Sequence, residues 1–186
     1  MEIPSSALIT YYITGKGNVM SDDRLMLENV RLIFRNFAGV QTKFNEEGKR
    51  NFCVLLDTDI ANKLKAEGWN VRWSEARDEG DEAQGYMQVT VSYDNYPPTI
   101  TLVSNKNKSV MRVEDLAMLD WAEIAKADLV IRPYKWKVND NEGIKAYLKS
   151  AYFTLEDDPL AEKYEGIPST PKSAPPIPDV VDEDAS

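Results

Sequence analysis

Alternating apolar and polar positions mark a series of short extended runs along the chain. In Leu27–Phe37, LENVRLIFRNF, the alternation sets Val30, Leu32 and Phe34 on one face and Arg31, Ile33 and Arg35 on the other, which makes Phe34 a core candidate. A turn at Asn45–Gly48 leads into a second strand, Arg50–Leu56. Trp69–Trp73 and Tyr86–Tyr93 continue the pattern, Pro97-Pro98 interrupts it, and Thr99–Val103 resumes it. Two stretches carry a helical pattern instead. Ile60–Glu67 follows the capping candidates Asp57-Thr-Asp and ends before Gly68. Glu114–Ile124 turns Leu116, Leu119 and Ile124 inward. Between these elements, Ser74–Gly85 reads as a charged loop and NKNKSVMR, from Asn105 to Arg112, as a solvated turn. The longest extended pattern is Ile131–Phe153, two arms joined by the polar turn Asn139-Asp-Asn-Glu-Gly143. The sum is a mostly β fold with short helices and hairpin connections.

Charge changes this picture, because it is sorted. The 186 residues carry a formal charge of -9, from 22 bases and 31 acids. The two hairpins run against that balance. One carries Arg31, Arg35, Lys43, Lys49 and Arg50, with Glu46 and Glu47 at its turn; the other carries Arg132, Lys135, Lys137, Lys145 and Lys149, with Asp140 and Glu142 at its turn. Tyr134, Trp136, Tyr147 and Tyr152 stand among the bases of the second hairpin. Cations interleaved with flat rings suit a single nucleic-acid strand, whose phosphates need neutralising and whose bases are free to stack. Alternation puts Lys145, Tyr147 and Lys149 on one face of the last arm and Ile144, Ala146, Leu148 and Tyr152 on the other. Tyr134 and Trp136 share a face with Arg132, and stacking on bases or packing in the core are both open for them.

Composition narrows the chemistry. There is no histidine, and the lone Cys53 sits in the apolar run NFCVLL as core filler rather than nucleophile. No metal site, cofactor or catalytic residue is expected, and no Walker, HExxH or nucleophile-elbow pattern occurs. No apolar run approaches the ~20 residues of a membrane span. Residues 1–19 read either as an extension upstream of a start at Met20 or as an extra edge strand at Ala7–Ile13. Residues 20–165 form the expected binding domain. From Gly166 to Ser186 the chain is proline-rich, acidic and poor in apolar residues, the composition of a disordered tail.

ENVRLIFRNF, KFNEEGKRNFCV, DLVIRPYKWKV with GIKAYLKS, and the acidic end together resemble bacteriophage single-stranded-DNA-binding proteins of the OB-fold type. The resemblance spans about Leu27–Leu155, with the tail alike in composition only. It implies an antiparallel Greek-key barrel with extended hairpins. It also implies a non-enzymatic protein of the host-cell cytoplasm that protects single strands during phage DNA replication and recombination. The DNA contacts would be Arg31, Arg35, Lys43, Lys49, Arg50, Arg132, Tyr134, Lys135, Trp136, Lys137, Lys145, Tyr147 and Lys149. The tail acids Asp179, Asp182, Glu183 and Asp184 would recruit phage or host replication and recombination proteins, or compete with DNA. The sequence departs from the pattern in its inserted helices and acidic loop, and in lacking an aromatic residue at the tail's end. A homodimer through a sheet edge stays open, and the rival reading is an acidic phage interaction module or DNA-mimic inhibitor.

Overall fold

The computed structural model describes residues 24–75, 80, 82–104, 107–157 and 160. The alternating runs become β1 (Leu25–Leu27), β2 (Leu32–Asn36), β3 (Arg50–Leu56), β4 (Val71–Trp73), β5 (Gly85–Val91), β6 (Thr99–Ser104), β7 (Asn107–Val110), β8 (Ile124–Val138) and β9 (Asn141–Leu155). One helix, α1 (Thr58–Ala66), and one 3₁₀ segment, Val113–Asp120, interrupt them. All these elements lie in a unit that runs to Glu156.

Among the described residues the strands form a single mixed sheet, ordered β1-β8-β9-β5-β3-β2, with β4 on β5, β6 on β9 and β7 on β6. Most neighbours are antiparallel. The exceptions are β9 with β5 and β9 with β6, so the sheet is mostly antiparallel, as expected, with two parallel pairings. β1 and β2 stand at opposite ends of this path, yet only residues 28–31 separate them. The sheet must therefore curl until its ends meet in one run of chain. Val30 N donates to Ala127 O of β8 (3.0 Å), and the next residue, Arg31, accepts at its carbonyl from Leu55 N of β3 (3.0 Å). The curl encloses a core in which Phe37, Phe52 and Phe153, each fully buried, meet ring to ring at 5.1–6.4 Å.

The two short helices close the core. α1 sets Ala61 and Leu64 against the sheet, where a Cβ on Gly85 would come within 2.6 Å of the Ala61 Cβ. Glycine at 85 is what lets helix and strand approach so closely. The 3₁₀ segment buries Leu116 and Leu119 and is tied to β2 from both sides. Asp120 accepts from the backbone N–H of Phe37 (2.6 Å) and Ala38 (3.0 Å), and Arg35 Nη1 donates to the carbonyls of Leu119 (2.9 Å) and Ala122 (2.7 Å).

Several elements differ from the pattern in the sequence. Leu27–Phe37 is two strands, because residues 28–31 leave one sheet neighbour for another. The register then shifts between Ile33 and Asn36, with Phe34 at φ +49°. This irregularity breaks the alternation that pointed to a core Phe34, whose side chain is 69% exposed. Ile124 opens β8 rather than ending a helix. Asn107–Val110, expected as a turn, pairs with β6. The expectations for residues 1–19 and 166–186, including Ala7–Ile13 and Asp179, Asp182, Glu183 and Asp184, lie outside the described residues.

Candidate nucleic-acid interface

β8 and β9 are each 15 residues long, more than the core beneath them requires. Their tips project beyond it, reversing at Asn139-Asp140 with Asn139 at φ +53°, a conformation asparagine tolerates well. Residues directly opposite in a ladder share a face. The register sets Arg132 opposite Tyr147, Tyr134 opposite Lys145 and Trp136 opposite Gly143. These five side chains thus stand on one face, the outer one, since the intervening Ala146 and Leu148 are buried. Lys135 and Lys137, opposite Ile144 and Glu142, stand on the other.

A bulge decides where this face ends. The pairing steps from Val130/Ser150 to Ile131/Leu148, leaving Lys149 as the extra residue of β9. Parity therefore changes across Lys149. Ala151 and Phe153 point inward, and Tyr152 is 48% exposed instead of joining the apolar face with Ile144, Ala146 and Leu148. Lys149 stands in the bulge rather than in line with Lys145 and Tyr147.

On the outer face the rings and cations organise one another. The Arg132 guanidinium carbon lies 4.5 Å from the centroid of Tyr96 and 5.5 Å from that of Tyr147. Tyr134 meets Tyr147 edge-on at 5.8 Å, and Lys145 Nζ lies 5.2 Å from the same ring. Trp136 covers Gly143 so closely that an added Cβ would come within 2.9 Å of its Cζ2. Tyr96 and Tyr134 remain mostly exposed and Trp136 about one-third so. At the base of the arm, Ile144 N donates to Gly68 O (2.9 Å) and Asn70 N to Ile144 O (3.2 Å), which ties β9 to the loop after α1.

A model of the family described as "Putative phage ssDNA-binding domain" matches residues 16–185. The chain belongs to this family. Its likeness to the single-stranded DNA-binding protein of bacteriophage Enc34 appears in three solved structures. The complex with ssDNA is 13% identical, with a TM-score of 0.49 over 74% of this chain and 89% of that one. The protein alone is 15% identical, TM-score 0.47, over 79% and 87%. A C-terminal truncation is 13% identical, TM-score 0.48, over 73% and 88%. No curated protein matches the chain.

In this phage family member the face continues past the hairpin. Thr90 of β5 lies beside Tyr147 and opposite Asn51 of β3, Gln88 opposite Cys53, and Tyr86 opposite Leu55 and Arg72. Cys53 is buried on this outer side of β3, not in the core cluster. Burial pushes its thiol up to about 11, against a smaller opposing pull from Arg72, so at neutral pH it is a protonated, unreactive group.

The first basic hairpin contributes less uniformly. Arg35 is spent on the carbonyls of Leu119 and Ala122, and Arg50, opposite the inward Val91, lies half-buried. Burial raises the Tyr93 phenol, and the charge of Arg50 works against that rise. Lys49 and Arg31 are exposed, and Lys43 Nζ lies 5.5 Å from the ring of Phe44, itself 89% exposed. The tip of that loop is therefore not simply acidic. Tyr96, Tyr86 and Arg72 were not singled out from sequence, and Phe34 was read as core. Tyr96 lies in the irregular segment before Pro97-Pro98, where no strand pattern assigns a face.

Proposed function

We propose that this chain binds single-stranded DNA with little sequence preference and protects it during phage DNA replication or recombination, without catalysing a reaction. The observation that carries the reading is the Tyr96–Arg132–Tyr147 stack on the same face as Tyr134, Trp136 and Lys145. Its rings offer surfaces for bases, at about 1–3 kcal/mol per stacked base. The Arg132 guanidinium carbon lies over both rings, so the same face supplies a cation for phosphate. Rings recognise any base, whereas duplex bases are already stacked and out of reach. The acidic residues 166–186 recruit replication or recombination proteins or compete with DNA for the cations.

The test is titration of labelled single-stranded and duplex oligonucleotides at several salt concentrations, with the full chain and with a chain ending at Glu165. Preference for single strands, a steep fall of affinity with salt, and tighter binding by the shortened chain are expected. Equal affinity for duplex, or no single-strand binding at low salt in either form, overturns the proposal.

A further inference from the structure

We infer that Phe34 and Tyr86 form a second base-stacking station on the same outer face, so that a bound strand runs from the β8–β9 hairpin across β5 and β3 to the edge at β2. The inference rests on the single-strand-binding reading above and adds a path to it.

Phe34 is the point of departure. Its φ of +49° lies in the left-handed region, which a bulky aromatic residue rarely adopts. Strain of this kind persists where the surrounding structure over-determines it, and it clusters at ligand sites. Here it accompanies the break in register between Ile33 and Asn36, and its effect is to put a phenyl ring outside the core at 69% exposure. An ordinary alternating strand would have placed that ring with the buried Leu32. The exposed ring is not alone. It meets Tyr86 edge-on, with centroids 6.0 Å apart and planes at 71°. Leu55 lines the same groove, and Arg72 stands opposite Tyr86 in the β4–β5 ladder.

Continuity with the hairpin comes from the sheet itself. Tyr86 and Thr90 lie on the same side of β5, and Thr90 is the direct neighbour of Tyr147. One strand spacing and four residues along β5 separate Tyr147 from Tyr86, about 14 Å between backbones. Between them the surface offers Gln88 and Thr90 and no charged side chain of β5. The occupant such a surface fits is a nucleobase on each ring pair with the connecting backbone between. Exposed aromatic rings bind bases of any identity; Glu75 and Glu82 also line the groove beside Phe34 and Tyr86, so contact at this station is through base faces rather than phosphate.

The experiment compares oligothymidylates of increasing length, across roughly 4–16 nucleotides, binding to the full chain and to Phe34→Asn. Asparagine is the substitution of choice because it tolerates a positive φ, so the variant keeps the fold; an unchanged thermal midpoint checks this, and Tyr86→Leu is the second variant. Short oligomers that reach only the hairpin are expected to bind wild type and variants alike. Longer ones are expected to gain affinity in wild type and to lose that gain, roughly 5- to 150-fold, in either variant. Length curves that stay parallel in both variants overturn the second station while leaving single-strand binding intact. A wild-type chain that binds no oligomer of any length overturns the binding reading and the station together.

Discussion

Arg132 offers the sharpest separation of the two forces ascribed to the outer face. Its guanidinium carbon lies 4.5 Å from the Tyr96 centroid and 5.5 Å from that of Tyr147. A cation over a ring contributes about 0.5–1 kcal/mol at exposed sites and about 2 kcal/mol when desolvated. Arg132 is half-buried, so its two rings hold it by about 1–2 kcal/mol in total. Lysine retains the charge but not the plane, and arginine-to-lysine exchange at a stacked site is not conservative. Arg132→Lys should therefore loosen Tyr96 and Tyr147 and weaken single-strand binding by about 1 kcal/mol, roughly fivefold, without changing the salt dependence. Arg132→Ala removes the charge as well. One lost phosphate contact on a single strand should reduce the slope of log K against log salt by about 0.7. Fluorescence anisotropy of a labelled oligothymidylate, titrated at four or more salt concentrations, measures both quantities. If the alanine variant keeps the wild-type slope, Arg132 meets no phosphate and the assignment of its charge to DNA is wrong. If the lysine variant binds as wild type does, the stack contributes nothing to recognition.

Three further outcomes test other parts of the structure. Gly143→Ala drives a methyl to within 2.9 Å of the Trp136 indole; the ring should be displaced, lowering single-strand affinity as Trp136→Ala does, by about 1–3 kcal/mol, while calorimetry shows little change in thermal midpoint. Phe153→Ala empties the meeting point of three buried rings and should cost about 3–5 kcal/mol, read as a lower urea midpoint with an unchanged m-value. Cys53 gives a pH dependence with a definite sign. Its thiol sits at about 11 in the folded chain against 9.0 ordinarily, so the unfolded chain loses its proton first. Above pH 9 the folded state then binds more protons, and stability falls as pH rises towards 11. The Tyr93 phenol, raised from 10.0, acts in the same direction at higher pH. Cys53→Ala should flatten the decline that begins near pH 9 in urea titrations, and an unaltered profile refutes the assignment.

The parts of this fold that were legible in the sequence are those governed by local pattern. β3 runs over Arg50–Leu56 as the apolar run after the Asn45–Gly48 turn indicates, and the period-two signal of the β8–β9 arms, with their Asn/Asp reversal, marked the long hairpin. Pairing partners were not legible. Nothing local to β9 says that it lies parallel to β5 and β6, because that choice is made by core packing between segments dozens of residues apart. The candidate site fared the same way. Arg132, Tyr134 and Trp136 share a face because β8 alternates without a break from Lys126 onward, whereas Tyr152 was misplaced by one extra residue at Lys149. A bulge inverts every later position and leaves no reliable mark on composition. Phe34 was lost to the same cause, an irregularity at a residue whose type argues for the core.

Net charge and binding surface need not agree in sign, and the distances explain why. At physiological ionic strength the Debye length is about 8 Å, so a phosphate on the outer face responds to Arg132, Lys145 and their neighbours, and only weakly to acids elsewhere on the chain. The formal charge of -9 thus sets solubility and long-range repulsion, while contact affinity is set locally. The described outer face fits this division. Its centre is Cys53, Gln88, Thr90 and the rings, and its cations stand beside those rings rather than in a continuous basic plate. On the proposed reading, electrostatics supplies the salt-dependent share of binding and stacking supplies the rest. A protein built this way separates single strands from duplex by the availability of base faces, because the cations alone would bind either.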